Sequence, residues 1–373
     1  SLHESRRSRR LALTVYKSLT AQTLHYFSRP QERVLREPLH IAAAWTGAGL
    51  AGSLAWLETL TPDDAAELEV AVAAAKKSGK PLGELTKADF PLPTISKKIE
   101  RWRGEITRGR GFQVLRGVPV ERWTEAESEI FFWCLGQHLG IPGAQNPQRE
   151  LLGHVRDTGE SPEEVRHYRT NVNINFHCDA ADVVGLLCLN KAKSGGKSRI
   201  VSSVAVYNEL LRRRPDLVER LYEPFLMDTK GEGGVRYLPV RPCAFDSGAL
   251  RTFYHTDYFR SATDRNGEPL LTPGDREVLD LYNSIADSPE MYLDMELQPG
   301  DVQLLSNHTI MHARTDYDDY PEPERRRHLL RLWISLPTSP SLATRIRKER
   351  SRAAMLATTI RLKLSNAIER AAH

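Results

Sequence analysis

Apolar and polar positions change rhythm about a third of the way along the chain. Up to about residue 110 the punctuation is helical. Thr61-Pro62-Asp63-Asp64 combines an N-cap, a proline for the first helical position and acids for the first turn. The Ala-rich run behind it stops at Lys76-Lys77 and Gly79. Thr124 with Glu127 has capping-box spacing before Ile130-Phe131-Phe132-Trp133, and this helix is expected to end near Gly140. From about residue 112 the pattern is that of strands. Phe112 to Gly117 reads as one, and the unbroken apolar run Val183 to Leu189 reads as a strand buried on both faces. Ser198 to Val206 and Met291 to Leu297 alternate, Pro299-Gly300 turns into Asp301 to Leu305, and His328 to Leu336 is a last apolar strand. Helical insertions are expected near 206–222 and 273–287. No internal repeat or low-complexity linker appears. A barrel or jelly roll decorated by helices fits this order better than alternating βαβ units.

The 373 residues are 40% hydrophobic and 27% charged, enough to bury a substantial core. No apolar run reaches the ~18 residues of a membrane span; Ile41 to Trp56 comes nearest and is broken by Gly and Thr. The four cysteines, Cys134, Cys178, Cys188 and Cys243, form no CxxC pair and read as reduced thiols. A cytoplasmic setting suits them. Net charge is +4 and unevenly placed: residues 1–30 carry +5, residues 341–373 carry +6, and the stretch between carries −7. The ends read as solvated basic helices rather than nucleic-acid arms, because the basic clusters at 6–10 and 345–352 have no aromatic residues interleaved as a binding surface would need. The Arg-rich, acid-poor start also has the composition of a mitochondrial presequence.

The chemistry gathers around Phe176-His177-Cys178-Asp179. In extended backbone, residues two apart share a face, so His177 and Asp179 converge. Asn307-His308-Thr309-Ile310-Met311-His312 offers a third ligand from far along the chain, through His308 or His312. Two imidazoles and one carboxylate make the facial triad of non-haem Fe(II) oxygenases, which leaves coordination positions open. Arg325-Arg326-Arg327-His328-Leu329-Leu330-Arg331-Leu332-Trp333 sets arginines into an apolar strand, with Arg327 and Arg331 on one face. Such guanidinium groups need an anion, either an internal carboxylate or a ligand. Ser194-Gly195-Gly196-Lys197-Ser198 is not a phosphate-binding loop: Lys191 stands where its first glycine belongs, and strand rather than helix follows.

Together these segments resemble the taurine dioxygenase / 2,4-D dioxygenase (TauD/TfdA) family over roughly 110–337. The shared pattern is Phe-His-x-Asp, Ser-Gly-Gly-x-Ser, Pro-Gly-Asp before Asn-x-x-x-x-His-x-Arg, and Arg-Arg-x-Leu-Leu-Arg-Leu-Trp. The resemblance implies an α+β fold with a double-stranded β-helix (jelly-roll) core and helical insertions. The oxygenase domain is expected over 111–340; residues 1–110 match no motif and are expected to form a helical region packed on it, and 341–373 a basic C-terminal helix. The resemblance assigns iron to His177, Asp179 and His312 rather than His308. It gives the distal carboxylate of 2-oxoglutarate to Arg327, with Arg326 as fallback, helped by the Ser198 hydroxyl where Thr is more usual. It places Arg331 at a substrate's anionic group and Asn173 on the substrate side. Fe(II), 2-oxoglutarate and O2 would then oxidise a C–H bond of a small organic substrate, hydroxylation being the default, with release of succinate and CO2. The Asp179 carboxylate argues against halogenation, which needs a small residue there.

Tyr168, Asn171, Asn175, Tyr254, His255 and Tyr258 are candidate pocket residues. Rival readings are a non-catalytic metal-binding jelly-roll sensor or scaffold, which would keep the ligands, and a zinc hydrolase, which would leave Arg327 and Ser198 without a role. The segment Ala353 to Ile368 could pack as an amphipathic helix against a second subunit of a homo-oligomer.

Overall fold

The computed structural model describes residues 15–160, 169–230, 235–337 and 341–371. Its principal helices are α1 (Leu19–Phe27), α2 (Pro62–Lys77), α3 (Ile95–Thr107), α4 (Glu125–Leu139), α5 (Ser203–Arg213), α6 (Pro273–Ala286) and α7 (Leu342–Ala371). The strands that build the core are β1 (Leu57–Thr59), β2 (Phe112–Arg116), β3 (Ile141–Gly143), β4 (Gly153–Val155), β5 (Ile174–His177), β6 (Val183–Asn190), β7 (Ser198–Ser202), β8 (Tyr292–Met295), β9 (Val302–Ser306), β10 (Ile310–Arg314) and β11 (His328–Ser335). The major sheet runs β1-β2-β9-β6-β11-β3, with β4 also paired to β11; the minor sheet runs β8-β7-β10-β5. Only β1 and β2 are parallel within the major sheet.

The layers follow from where the apolar side chains go. Phe112, Val114, Val184, Leu305 and Trp333 of the major sheet share one cluster with Ile200, Met295 and Ile310 of the minor sheet. The opposite face of the major sheet, through Val183, Leu187, Val302, Leu304, Leu330, Leu332 and Ile334, is covered by α2, α3 and α4. Val201 and Met311, on the far face of the minor sheet, pack with α5 and α6. A strand with helices on one side and a second sheet on the other has no solvent face, which is why β6 and β11 lost their alternation.

Helix starts sit where the capping residues place them. Thr61 with Asp64, Thr124 with Glu127, and Thr272 with Asp275 form complete capping boxes. The expected strand from Ser198 to Val206 stops instead at Ser202, whose hydroxyl accepts the Ala205 N–H and starts α5. The β-branched run crosses that boundary because α5 is buried too, and burial hides which period applies. The N-terminal region also contributes a strand, β1, which extends the major sheet beside β2. Gly195 and Gly196 both have positive φ, as a tight reversal into β7 requires.

Candidate active site

His177 ends β5 and His312 lies on β10, and the two are direct register partners in the minor sheet. Their rings sit 4.2 Å apart, centre to centre. Asp179 follows two residues after His177, and its Oδ2 lies 3.8 Å from His312 Nε2. One ligand atom from each of His177, Asp179 and His312 falls within 4.8 Å of the others, close enough to share one ion. His177 Nδ1 lies 2.9 Å from the Asn175 carbonyl, which makes it the donor and turns the lone pair of Nε2 inward. The Asp179 N–H donates to Asn307 Oδ1 at 3.0 Å, fixing the loop that carries the carboxylate. Asp179 Oδ2 and His312 Nδ1 are buried without a hydrogen-bond partner among the described residues.

Electrostatics favour a cation here. Burial pushes the Asp179 carboxyl up, but Arg331, His312 and His177 more than offset it and hold it at about 2. Burial, with His177 beside it, pushes His312 down to about 3, so its imidazole is a neutral base. An ionised carboxylate and a neutral imidazole are the protonation states a metal needs. The donor set, the buried Oδ2 and these states fit Fe(II).

His308 is occupied elsewhere. Its Nε2 donates to Asp182 Oδ1 at 2.8 Å and its ring stacks on Tyr26 at 4.8 Å. The structure thus separates the two histidines between which spacing alone could not choose.

Arg331 and Arg327 come from the opposite sheet. Arg331, on β11, puts Nη1 3.8 Å from Asp179 Oδ1 and donates from Nε to Gln145 Oε1 at 2.8 Å. Gln145 returns a 2.7 Å bond to the Arg331 carbonyl. Arg327, just before β11, is buried, and its Nη1 has no hydrogen-bond partner among the described residues. Arg314, two residues beyond His312, is also buried and donates to the carbonyls of Thr170 and Val172. Both guanidinium groups lie over the Tyr317 ring, at 5.1 and 4.9 Å. Burial lowers the pKa of each, and for Arg314 the neighbouring Arg327 adds to it. Two buried cations around one ring are unfavourable unless an anion joins them. A cavity of about 150 Å³ reaches Arg327 from its Gly196 side, away from the three metal-type ligands, and Lys191, Lys193 and Lys197 line it.

The other expected residues are distributed as follows. Ser198 is buried and donates to Gln303 Oε1 at 2.9 Å, and it is the register partner of Arg314. Arg326 is exposed and bonds the carbonyls of Tyr320 and Pro321. Asn173 is exposed and bonds Asn175 Oδ1 at 3.3 Å. Asn175 bonds Asp257, and His255 stacks on Tyr258 at 3.6 Å with its ring 5.1 Å from His177. These side chains flank the triad. Asn171 is exposed. Tyr254 is core: it stacks on Tyr282 and bonds Asn283 at 2.8 Å. Tyr168 lies outside the described residues.

Sequence reasoning passed over Arg314, Asn307, Gln145 and Asp182 as working parts. Arg314 and Asn307 stood inside the quoted Asn-x-x-x-x-His-x-Arg pattern. Gln145 carries no local signal.

The family described as taurine catabolism dioxygenase TauD, TfdA family matches residues 78–333. FR-33289 synthase of Streptomyces rubellomurinus (strain ATCC 31215) is 30% identical over 328 residues, covering 85% of this chain and 96% of that protein. Taurine hydroxylase-like protein SAT17 of Stachybotrys chartarum (strain CBS 109288 / IBT 7711) is 29% identical over 305 residues, covering 78% and 77%. Among solved structures, asparagine oxygenase in complex with Fe(II), 2S,3S-3-hydroxyasparagine and succinate is similar with a TM-score of 0.61 at 18% identity, over 75% of this chain and 93% of that one. No described helix is long and apolar enough to cross a membrane.

Proposed function

Because the chain belongs to the TauD/TfdA family and is an Fe(II)- and 2-oxoglutarate-dependent dioxygenase, we propose that His177, Asp179 and His312 hold its iron and that it hydroxylates a small anionic substrate. The two facing sheets then read as the halves of a double-stranded β-helix, with 1–110 as a helical cover, 111–340 as the oxygenase domain and 341–373 as a C-terminal helix. Bound iron with 2-oxoglutarate supplies the chemistry, using O2 to oxidise a substrate C–H bond while 2-oxoglutarate leaves as succinate and CO2.

The chain's own residues do the binding and orienting. His177 is fixed by the Asn175 carbonyl and Asp179 by Asn307, so two ligands are aimed before an ion arrives. Arg327 takes the distal carboxylate of 2-oxoglutarate through Nη1, which has no hydrogen-bond partner among the described residues. Arg314 adds positive charge over the same Tyr317 ring, and Ser198, with its Oγ–H on Gln303, has lone pairs left to accept. Arg331 supplies the cation for an anionic substrate group, and Asn173, Asn175, His255 and Tyr258 flank the approach. The observation that carries this reading is the convergence of His177, Asp179 and His312 within 4.8 Å of one another, with the buried Arg331 of the other sheet 3.8 Å from Asp179.

The test is an anaerobic titration of metal-free protein with Fe(II) and 2-oxoglutarate, reading the weak visible charge-transfer band of chelated cosubstrate. Wild type is expected to show it, His312→Ala to lose it, and Arg327→Ala to need about a hundredfold more 2-oxoglutarate, the ~3 kcal/mol of a charge-assisted contact. A wild-type protein that binds Fe(II) yet shows no band would overturn the cosubstrate assignment.

A further inference from the structure

Among the described residues a second group of metal-ligating side chains lies apart from the triad, on the helix-covered side of β11. It consists of His328, the first residue of β11, His154 on the paired strand β4, and Glu125, the first residue of α4. His154 Nδ1 and His328 Nε2 are 2.9 Å apart. Glu125 Oε1 lies 3.7 Å from His154 Nδ1, and its Oε2 lies 3.8 Å from His328 Nδ1. Glu129, one turn along α4, places Oε1 3.5 Å from His154 Nε2.

An N–H of one neutral imidazole can close the 2.9 Å contact, but not while both rings turn an N–H towards the carboxylates 3.5–3.8 Å away. If each ring turns an N–H towards its carboxylate, Nε2 of His154 to Glu129 and Nδ1 of His328 to Glu125, two lone pairs face each other at 2.9 Å. If one ring turns its N–H into the shared contact, its other nitrogen presents a lone pair to a carboxylate. A cation between Nδ1 of His154 and Nε2 of His328 removes the conflict and leaves both outward N–H groups on carboxylates, the usual way a metal-bound histidine is held.

We propose that His154, His328 and Glu125 form a second cation site for a zinc-type divalent transition ion, with Glu129 orienting His154. Two imidazoles and one carboxylate select such an ion over magnesium or calcium. Donor spacings of 2.9 and 3.7 Å bracket the ~3.3 Å edge of a tetrahedron with ligand distances of about 2 Å. Glu125 is half exposed, so an ion can enter and water can complete its shell. Occupied, the site would clamp the start of α4 to β4 and β11, one residue from Arg327.

The experiment titrates metal-free full-length protein with Zn2+ against a chromophoric chelator and follows thermal melting in parallel. Wild type is expected to take two equivalents, one for each group. His312→Ala should keep one, and adding His154→Ala should remove it. Zn2+ should raise Tm in His312→Ala and leave Tm unmoved in the double variant, as binding to the folded state alone requires. Glu125→Gln in the His312→Ala background, a change at a half-exposed position that keeps shape and fold, should weaken the remaining site about tenfold or more. Absence of Zn2+ binding in His312→Ala would overturn the site, as would binding unaffected by both His154→Ala and Glu125→Gln. The imidazole pair would then share a proton only.

Discussion

At the scale of single residues, Arg331 and Asp179 must be understood together. Asp179 stays ionised although buried because Arg331 leads the charges that offset its desolvation. Arg331 in turn is held from behind by Gln145, which takes its Nε and returns a bond to its backbone carbonyl. The guanidinium therefore serves the ligand set and, in our reading, the substrate. The two roles separate experimentally. Arg331→Leu is expected to lower kcat/KM for an anionic substrate by about a hundredfold, the loss of one charge-assisted contact. Arg331→Lys, which keeps the charge near Asp179 without the planar fork, should recover iron binding more fully than turnover. The check is substrate-dependent succinate release beside the Fe(II)/2-oxoglutarate band; unchanged turnover in Arg331→Leu would remove Arg331 from the substrate site.

At the scale of elements, strand pairing converts a scattered motif into a site. β5 and β10 lie side by side with His177 opposite His312, so imidazoles 135 positions apart become register neighbours. β11 approaches from the other sheet, and its position is set by α4 behind it. Gly136 of α4 sits directly on β11: a Cβ there would lie 2.4 Å from Leu332 Cδ2 and 3.3 Å from Pro142 Cγ. Gly136→Val is expected to destabilise the fold by roughly 1–3 kcal/mol through overpacking, read by urea denaturation. Because β11 carries Arg331 and follows Arg327, affinity for 2-oxoglutarate should weaken in the same variant. An intact Cm would show that α4 can move away freely.

At the scale of the whole molecule, Asp182 joins three distant segments. Its carboxylate accepts from His25 of α1 and from His308 before β10, each at 2.8 Å, and from the Leu336 N–H beyond β11 at 2.8 Å, while its carbonyl accepts the Asn307 N–H. Burial pushes Asp182 up, but the two histidine donors outweigh it and hold it well below the usual carboxylate range. Burial outweighs Asp182 at His308 and lowers its pKa, so that imidazole donates as a neutral group. Two pH windows follow. His328 titrates near 4 when folded and near 6.5 when unfolded, so the unfolded chain takes up the proton first and stability falls as pH drops from about 6.5 to 4. Asp182 adds its loss below the unfolded carboxyl value of about 3.9, as protonation favours the unfolded chain. Urea melts in chelator between neutral pH and pH 4 should show a loss of at least about 2–3 kcal/mol, reduced in part by His328→Gln and in part by His312→Ala, whose imidazole is pushed lower still. A flat profile in the wild type would contradict the buried neutral state of His328.

What the sequence determined by itself was local. Capping boxes at Thr61, Thr124 and Thr272 depend on contacts three residues apart, and they start helices where the spacing says they should. Phe-His-x-Asp keeps His177 and Asp179 two residues apart, although β5 ends at His177 and Asp179 sits in the loop beyond it, and the run of motifs in fixed order was specific enough to identify the family. The limit appeared where burial was complete: the strand expected through Val206 gave way to α5 at Ser202, because uniform apolarity carries no period. Tertiary structure alone decided which contacts the distant polar groups make. His308 and His312 are four residues apart and chemically identical, yet one meets Asp182 and the other faces His177. Arg314 and Arg327 share one tyrosine, and His154 meets His328, only because the sheets pack as they do. A charge buried far along the chain from its partner has no sequence signature. Its cost is settled by whatever the fold brings beside it.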